Sequence, residues 1–269
     1  MRAGFIGDII GRPGREVLIS NARELKKTYK LDFLVANCEN ASGGFGLSAK
    51  NALEILQAEV DAITGGNHSF DQKDIINLME QMPILRPYNY YEGTSGKGII
   101  NLKKENVGLC IINLIGNYGF SLTNNAFLSA NEAILKSESK NILIDFHAET
   151  TSEKRALMCY LNGKVSAIFG THTHVGTDDL QIYNNTAYVS DVGLSGNYFD
   201  VIGFEASSPI YTFTTGLKRS FSVDKDAKRA LQMVVFETDD NGKAVDAFKI
   251  RLIDGIDEIL TQRAIFAKR

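Results

Sequence analysis

Apolar runs alternate with amphipathic stretches along the first two thirds of the chain, and that alternation sets the expectation for the fold. Ala3-Gly4-Phe5-Ile6 reads as a short strand, Phe33-Leu34-Val35-Ala36 as a second and Val60-Asp61-Ala62-Ile63-Thr64 as a third. Between the first two, Leu18, Ala22 and Leu25 share one helical face, in a helix that begins near Pro13, a residue suited to the first helical position. Ala49, Ala52, Leu53 and Leu56 mark the next helix. Asp71 is placed to cap another, which carries Ile75 and Met79 and has Asp74 in its first turn. Further strands are read at residues 108–114, 141–146 and 165–169, with a helix through Ala156, Leu157, Tyr160 and Leu161. The last third is more strand-like, most clearly at residues 231–236, and a closing helix is expected near Ile259. Strands alternating with helices predict an α/β fold with helices packed on the sheet. No repeat, low-complexity segment or clear linker interrupts the chain. Residues 1–269 are therefore read as one domain, with room for a small cap lobe whose limits the pattern does not draw.

Composition narrows the function classes. The chain is 44% hydrophobic and 23% charged, as in ordinary globular proteins, and long enough to bury a sizeable core. A net charge of −3 excludes the basic footprint that a duplex binder needs, and the dispersed pairs Lys103-Lys104, Lys218-Arg219 and Lys228-Arg229 do not change that. No apolar run approaches the ~20 residues of a membrane span. The first residues, Met-Arg-Ala-Gly-Phe-Ile-Gly-Asp, show neither an apolar core segment nor a small-residue cleavage site, so secretion is not expected. Cys38, Cys110 and Cys159 lack any C-x-x-C spacing and read as reduced thiols of a cytoplasmic protein.

The candidate chemistry lies where the predicted strands end. Asp8 follows the first strand; Asn37-Cys38-Glu39-Asn40 follow the second; Gly66-Asn67-His68 follow the third. The strand from 141 runs into Asp145-Phe146-His147-Ala148-Glu149, and that from 165 into Gly170-Thr171-His172-Thr173-His174-Val175. Ligands of open α/β sheets bind at the carboxyl ends of parallel strands, so these five segments are expected to converge on one rim. Each residue alone has an ordinary explanation as a turn former, a cap or a core histidine. Together they collect all four histidines of the chain with two carboxylates and two amides. Imidazole, carboxylate and amide donors without thiolate suit manganese, iron or zinc in a catalytic site rather than a closed structural zinc site. Seven or more such donors are too many for one tetrahedral ion and about right for two ions that share a carboxylate, bind a phosphate and hold a nucleophilic hydroxide between them.

These segments resemble the calcineurin-like metallophosphoesterase superfamily and, within it, the bacterial YmdB family of 2′,3′-cyclic-nucleotide 2′-phosphodiesterases. The likeness runs through Gly7-Asp8-Ile9-Ile10-Gly11-Arg12-Pro13-Gly14, Glu39-Asn40-Ala41, Gly65-Gly66-Asn67-His68-Ser69-Phe70-Asp71, residues 145–149 and 170–175, Asp191-Val192-Gly193 and Val201-Ile202-Gly203, and so covers nearly the whole chain. The resemblance implies a metallophosphoesterase sandwich of mixed β-sheets flanked by helices. It further implies that Asp8, Glu39, Asn40 and His174 bind one metal and Glu39, Asn67, His147 and His172 a second, with Glu39 bridging. His68 would be the general acid that protonates the leaving oxygen, a role suited to a group that titrates near neutrality. The implied cofactors are two divalent or mixed-valence ions, iron first and manganese or zinc after it. The implied substrate is a small nucleotide, with no duplex nucleic acid or membrane as partner, and a homo-oligomer is compatible. Ile10 stands where the wider superfamily has a histidine, and Glu39-Asn40 where it has an aspartate; both departures are shared by the YmdB branch. Within that branch Cys38 replaces a glycine and Asn197 a proline.

A dinucleotide-binding oxidoreductase would need G-x-G-x-x-G after the first strand, and the spacing here is G-x-x-x-G-x-x-G, with Asp8 adding charge against a pyrophosphate. A metal-binding regulatory protein with incidental phosphoesterase activity is compatible with the same ligands. Gly43-Gly44-Phe45-Gly46 reads as a tight turn ahead of the helix near Leu47, in preference to a loop that offers Phe45 to a nucleobase. Glu149, Thr171 and Thr173 are expected to orient the histidines rather than to bind metal.

Overall fold

The computed structural model of the protein describes residues 1–267, and the apolar runs lie in it as strands. The chain begins with β1 (Arg2–Ile6), α1 (Gly11–Thr28), β2 (Phe33–Asn37), α2 (Ala49–Gln57), β3 (Ala62–Thr64) and α3 (Ile75–Gln81). It continues with β4 (Ile99–Lys104), β5 (Val107–Ile115), α4 (Ala126–Leu135), β6 (Ile142–His147), α5 (Thr151–Leu161) and β7 (Ala167–Thr171). It closes with β8 (Gln181–Tyr183), β9 (Thr186–Val189), β10 (Gly196–Asn197), α6 (Ser207–Thr215), β11 (Arg229–Thr238), β12 (Ala244–Ile253), β13 (Ile256–Arg263) and β14 (Ile265–Ala267).

These strands make two mixed sheets. The first runs β13-β12-β11-β1-β2-β3, with β10 pairing β11 as well; β1, β2 and β3 are parallel and the others antiparallel. The second runs β14-β8-β9-β7-β6-β5-β4, with β5, β6, β7 and β9 parallel. The sheets face each other, and strand parity decides which residues lie between them. Phe5, Phe33, Val35 and Ala62 of the first sheet pack against Leu109, Ile111, Leu143, Ala167 and Phe169 of the second. The alternate positions point outward. Ile6, Leu34 and Ala36 meet Leu18, Ala22 and Leu25 of α1, Ala52 and Ile55 of α2, and Ile75 and Met79 of α3. Cys110, Ile112, Ile144 and Ile168 meet Ala126, Ala130 and Ala133 of α4 and Leu157 and Leu161 of α5. The result is a helix–sheet–sheet–helix sandwich. Because both faces of the central strands are covered, their sequences are continuous apolar runs.

Four expectations are corrected. Residues 256–263 form strand β13, not a helix around Ile259; a two-residue turn, Asp254-Gly255, folds them back on β12. In α2 the buried positions are Ala52 and Ile55, whereas Leu53 is exposed. The third strand is shorter than read, spanning only Ala62–Thr64. Asp71 does not cap α3: the residue preceding that helix is Asp74, which makes no capping bond to it. Instead Asp74 Oδ2 accepts the Ala49 N–H at the start of α2, 3.1 Å away.

Candidate metal centre

Strands β1, β2 and β3 lie side by side in one sheet and β6 and β7 in the other, so their carboxyl ends share one edge of the sandwich. The predicted ligands meet there, and strand parity shows how. Along β6 the inward positions are Leu143, Asp145 and His147; along β2 they are Phe33, Val35 and Asn37. The apolar core between the sheets thus ends in a buried polar layer of Asn37, Thr64, Asn113, Asp145 and Thr171, next to the candidate ligands.

Glu39, His147 and His172 bring ligand atoms within 4.8 Å of one another, and no other such group of histidine, cysteine, aspartate and glutamate is found among the described residues. Glu39 Oε1 is 3.0 Å from His147 Nε2, and Asn67 Oδ1 is 3.0 Å from the same nitrogen. Asp8 adjoins this cluster, its Oδ1 lying 4.0 Å from both His147 Nδ1 and His174 Nε2. Asn40 is buried beside Glu39 and anchors its amide nitrogen on the Gly44 carbonyl at 2.9 Å. The backbone is shaped for this crowding. A Cβ on Gly66 would stand 2.4 Å from both Glu39 Oε2 and His147 Cδ2, so only glycine fits ahead of Asn67.

Two observations show that the donors suit cations. The first is unsatisfied polar atoms: Asp8 Oδ1 and Asn40 Oδ1 are buried without a hydrogen-bond partner, an expensive arrangement unless a cation completes it. The second is the orientation of the imidazoles. His147 Nδ1 pairs with Thr171 Oγ1 at 3.0 Å, and His174 Nδ1 donates to the Ile202 carbonyl at 2.9 Å, so Nε2 of each is turned toward the carboxylates of the cluster. His172 Nε2 pairs with Glu149 Oε2 at 2.8 Å, leaving Nδ1. Charge follows the same plan. Burial, with His147 nearby, lowers the His172 imidazole to about 3, so it is neutral and ready to ligate. Burial alone would raise the Glu39 carboxyl, but His147 and His68 outweigh it and hold it at about 2. Asp8 is raised by burial, against the pull of His174 and His147.

The Gly170-Thr171-His172-Thr173-His174-Val175 segment reaches this geometry at a conformational cost. His172 and His174 have φ of 100° and 64°, a region that L-residues seldom occupy. Asp191 holds the turn: its Oδ2 accepts Thr173 N–H at 3.1 Å and Thr173 Oγ1–H at 2.8 Å. The same oxygen pairs with the buried Lys154 ammonium at 2.9 Å, and Lys154 also donates to the Thr171 carbonyl at 2.9 Å. Beneath the ligands Asp145 ties the sheets together. It accepts Thr171 Oγ1–H at 2.8 Å, Asn37 Nδ2–H at 2.8 Å and the Thr64 hydroxyl, and burial pushes its carboxyl up to about 7. Glu149 and Thr171 thus touch His172 and His147 as expected of orienting groups, whereas Thr173 bonds Asp191 and no histidine ring. Asp145, Lys154 and Asp191 were not read from sequence as supports, although Asp145 stands two residues before His147 and so on the same strand face.

His68 sits on the rim, about a quarter exposed, with its N–H bonded to Glu39 Oε2 at 3.0 Å. Its ring Nδ1 lies 2.7 Å from Asp71 Oδ2, which is the role that Asp71 takes in place of a helix cap. The 43–46 segment is a turn, as read, and it also brings Phe45 to His68 with ring centroids 5.1 Å apart and planes 71° from parallel.

Comparison with known proteins agrees with this geometry. The family model described as YmdB-like protein matches residues 5–250. A Bacillus subtilis protein named 2′,3′-cyclic-nucleotide 2′-phosphodiesterase is 42% identical over 247 residues, covering 90% of this chain and 93% of the relative. A crystal structure of a Mycoplasma pneumoniae phosphatase superposes with a TM-score of 0.88 at 35% identity, over 94% of this chain and 93% of that one. A Thermus thermophilus structure superposes with a TM-score of 0.89 at 32% identity, over 94% and 99%. The two mixed sheets with flanking helices are the calcineurin-like metallophosphoesterase sandwich. By the extent of these matches, the chain belongs to the YmdB-like protein family.

Proposed function

We propose that the protein is a cytoplasmic dinuclear phosphodiesterase that opens 2′,3′-cyclic nucleotides to the 3′-phosphate. The observation that carries this reading is the pair of buried, partnerless oxygens on Asp8 and Asn40 beside the Glu39, His147 and His172 cluster. Asp8, Glu39, Asn40 and His174 would hold one ion, and Glu39, Asn67, His147 and His172 the other, with Glu39 shared. The donor set suits iron, with manganese or zinc as substitutes. When bound, two such ions polarise the phosphoryl oxygens and make water nucleophilic at neutral pH.

The chain's own groups handle the rest of the chemistry. Hydrolysis adds the elements of water to the ester: hydroxide joins phosphorus, the bond from phosphorus to the ribose 2′-oxygen breaks, and that oxygen takes a proton. His68 is the donor. With Nδ1 bound to Asp71, the ring is held so that its Nε2 can face the leaving oxygen. Lys154, Asp191 and Asp145 keep the histidines in place without touching the ester. The name of the Bacillus subtilis relative supports the substrate class.

The test is hydrolysis of 2′,3′-cyclic AMP by Mn²⁺-loaded protein, with His68→Ala and Asp8→Ala in parallel and metal content measured by elemental analysis. The expected product is adenosine 3′-phosphate. Both variants lose turnover, His68→Ala with its metals retained and Asp8→Ala with metal lost. Absence of turnover in wild type carrying two ions per chain overturns the substrate and leaves the metal centre standing.

A further inference from the structure

The rim beside His68 carries a set of aromatic rings that the proposed chemistry leaves unused. Phe45 stacks on Phe204 with centroids 5.3 Å apart and planes 24° from parallel, and Phe204 packs in turn on Phe221 at 5.5 Å. Phe204 is buried with Ile10 and Leu194, so the column is rooted in the fold. Phe45 is its outermost ring and remains 36% exposed. Phe204 lies against one face of Phe45, and the ring still keeps surface open to solvent or a ligand.

The placement is fixed from two sides. Gly44 has φ of +98°, and a Cβ there would lie 2.4 Å from the Phe204 ring, so glycine lets Phe204 slide beneath Phe45. The Phe45 carbonyl accepts Gln72 Nε2–H at 3.0 Å, and the Gly44 carbonyl accepts Asn40 Nδ2–H at 2.9 Å, which ties the loop to a proposed ligand. The Val201–Phe204 turn supplies both Phe204 and, through the Ile202 carbonyl, the hydrogen bond that orients His174. The aromatic column and the ligand cluster are therefore held by the same short segments.

We infer that Phe45 is the platform on which the nucleobase of the substrate stacks, a specificity-determining residue for base-bearing esters. This rests on the phosphodiesterase reading with His68 as acid. A ribose whose 2′-oxygen is protonated by His68 must lie on the His68 side of the centre, and its base, one ring carbon from the 2′-position, lies on that side too. Phe45 lies 5.1 Å from the His68 ring, centroid to centroid, within reach of that base. Phe120 is the competing aromatic, but it meets His172 at 5.0 Å and His147 at 6.1 Å, beside two proposed metal ligands rather than beside the proposed acid. Stacking of a base on an aromatic ring tolerates any base, so the preference is for a nucleoside ester over a base-free one, with little choice among bases.

The experiment compares kcat/KM for 2′,3′-cyclic AMP with that for ribose 2,3-cyclic phosphate, in wild type, Phe45→Leu, Phe45→Tyr and Phe120→Leu. A parallel calorimetric titration measures the Kd for adenosine 3′-phosphate. Leucine keeps apolar packing over Phe204 and removes the π-face; tyrosine keeps the face. The expected result is that Phe45→Leu lowers the ratio of the two kcat/KM values, and weakens nucleotide binding, on the order of tenfold, while Phe45→Tyr restores both. A ratio unchanged in Phe45→Leu, or one that falls in Phe120→Leu instead, overturns the stacking role and leaves the phosphodiesterase reading in place. Wild type that turns over neither ester overturns that reading and this inference with it.

Discussion

His68 and Asp71 stand three residues apart, and the 2.7 Å contact between them changes what each is for. From sequence Asp71 looked like a helix cap, because aspartate ahead of an amphipathic run usually is one. The loop instead turns its carboxylate toward the imidazole, where it orients the ring through Nδ1. Asp71→Asn keeps the size and removes the charge. It is expected to lower kcat for the cyclic nucleotide by about 10–100-fold, the range of a weakened general acid, with metal content unchanged. Steady-state kinetics beside elemental analysis check this, and a full rate with asparagine would remove Asp71 from the mechanism. Cys38 carries the opposite lesson. It lies next to Glu39, yet its thiol is buried and burial pushes it far above the usual thiol range, so proximity to the centre does not make it reactive. Only Cys159 is exposed. A thiol-reactive chromophore is expected to titrate one thiol in the folded protein and three after denaturation; two or more fast thiols in the native state would make Cys38 or Cys110 accessible.

At the scale of elements, legibility followed burial. The central strands were readable because both faces are covered and their sequences had to be apolar throughout. The strand-end positions of Asp8, Glu39, Asn67 and His147 were readable for the same reason, since a polar residue at the end of such a run must have a partner. Where one face is open the signal weakened. Leu53 has the right spacing for the buried stripe of α2 but is exposed, while Ile55 takes the buried place. Ile256, Ile259 and Leu260 mimic a helical face, yet Asp254-Gly255, a common hairpin pair, decides for β13. Supports that act through another residue were the least legible, because an aspartate followed by Val-Gly looks like any turn. Asp191 is the main case. It holds the strained turn of His172 and His174 and neutralises Lys154 in the interior. Asp191→Asn leaves a buried ammonium without its counter-charge and is expected to cost about 3–5 kcal/mol in urea unfolding. The loosened histidines are expected to weaken metal binding by about 10–100-fold. A variant that binds metal as tightly as wild type would show that the turn holds its shape without Asp191.

At the scale of the whole molecule, the proposed ligand set joins two sheets that otherwise meet through apolar packing and the hydrogen bonds of Asp145. Asp8, Glu39, Asn40 and Asn67 belong to the first sheet's edge, and His147, His172 and His174 to the second's. Cations held between them would bind the native arrangement and not the unfolded chain, and so stabilise the fold by mass action. Without them the edge keeps a raised Asp8 carboxyl and two partnerless oxygens in its interior. Metal at about 100 times its Kd contributes about 2.7 kcal/mol, which for a chain of this size moves the melting midpoint by roughly 5–10 °C. Chelation is therefore expected to lower Tm by that amount, and added Mn²⁺ to restore it with a dependence on concentration. His147→Ala and Asp8→Ala, each taking a ligand from one side of the edge, are expected to flatten the response. A melting curve indifferent to chelator in protein first shown to carry metal would mean that the ions sit elsewhere, since a site built from both sheet edges cannot be emptied without loosening the junction between them.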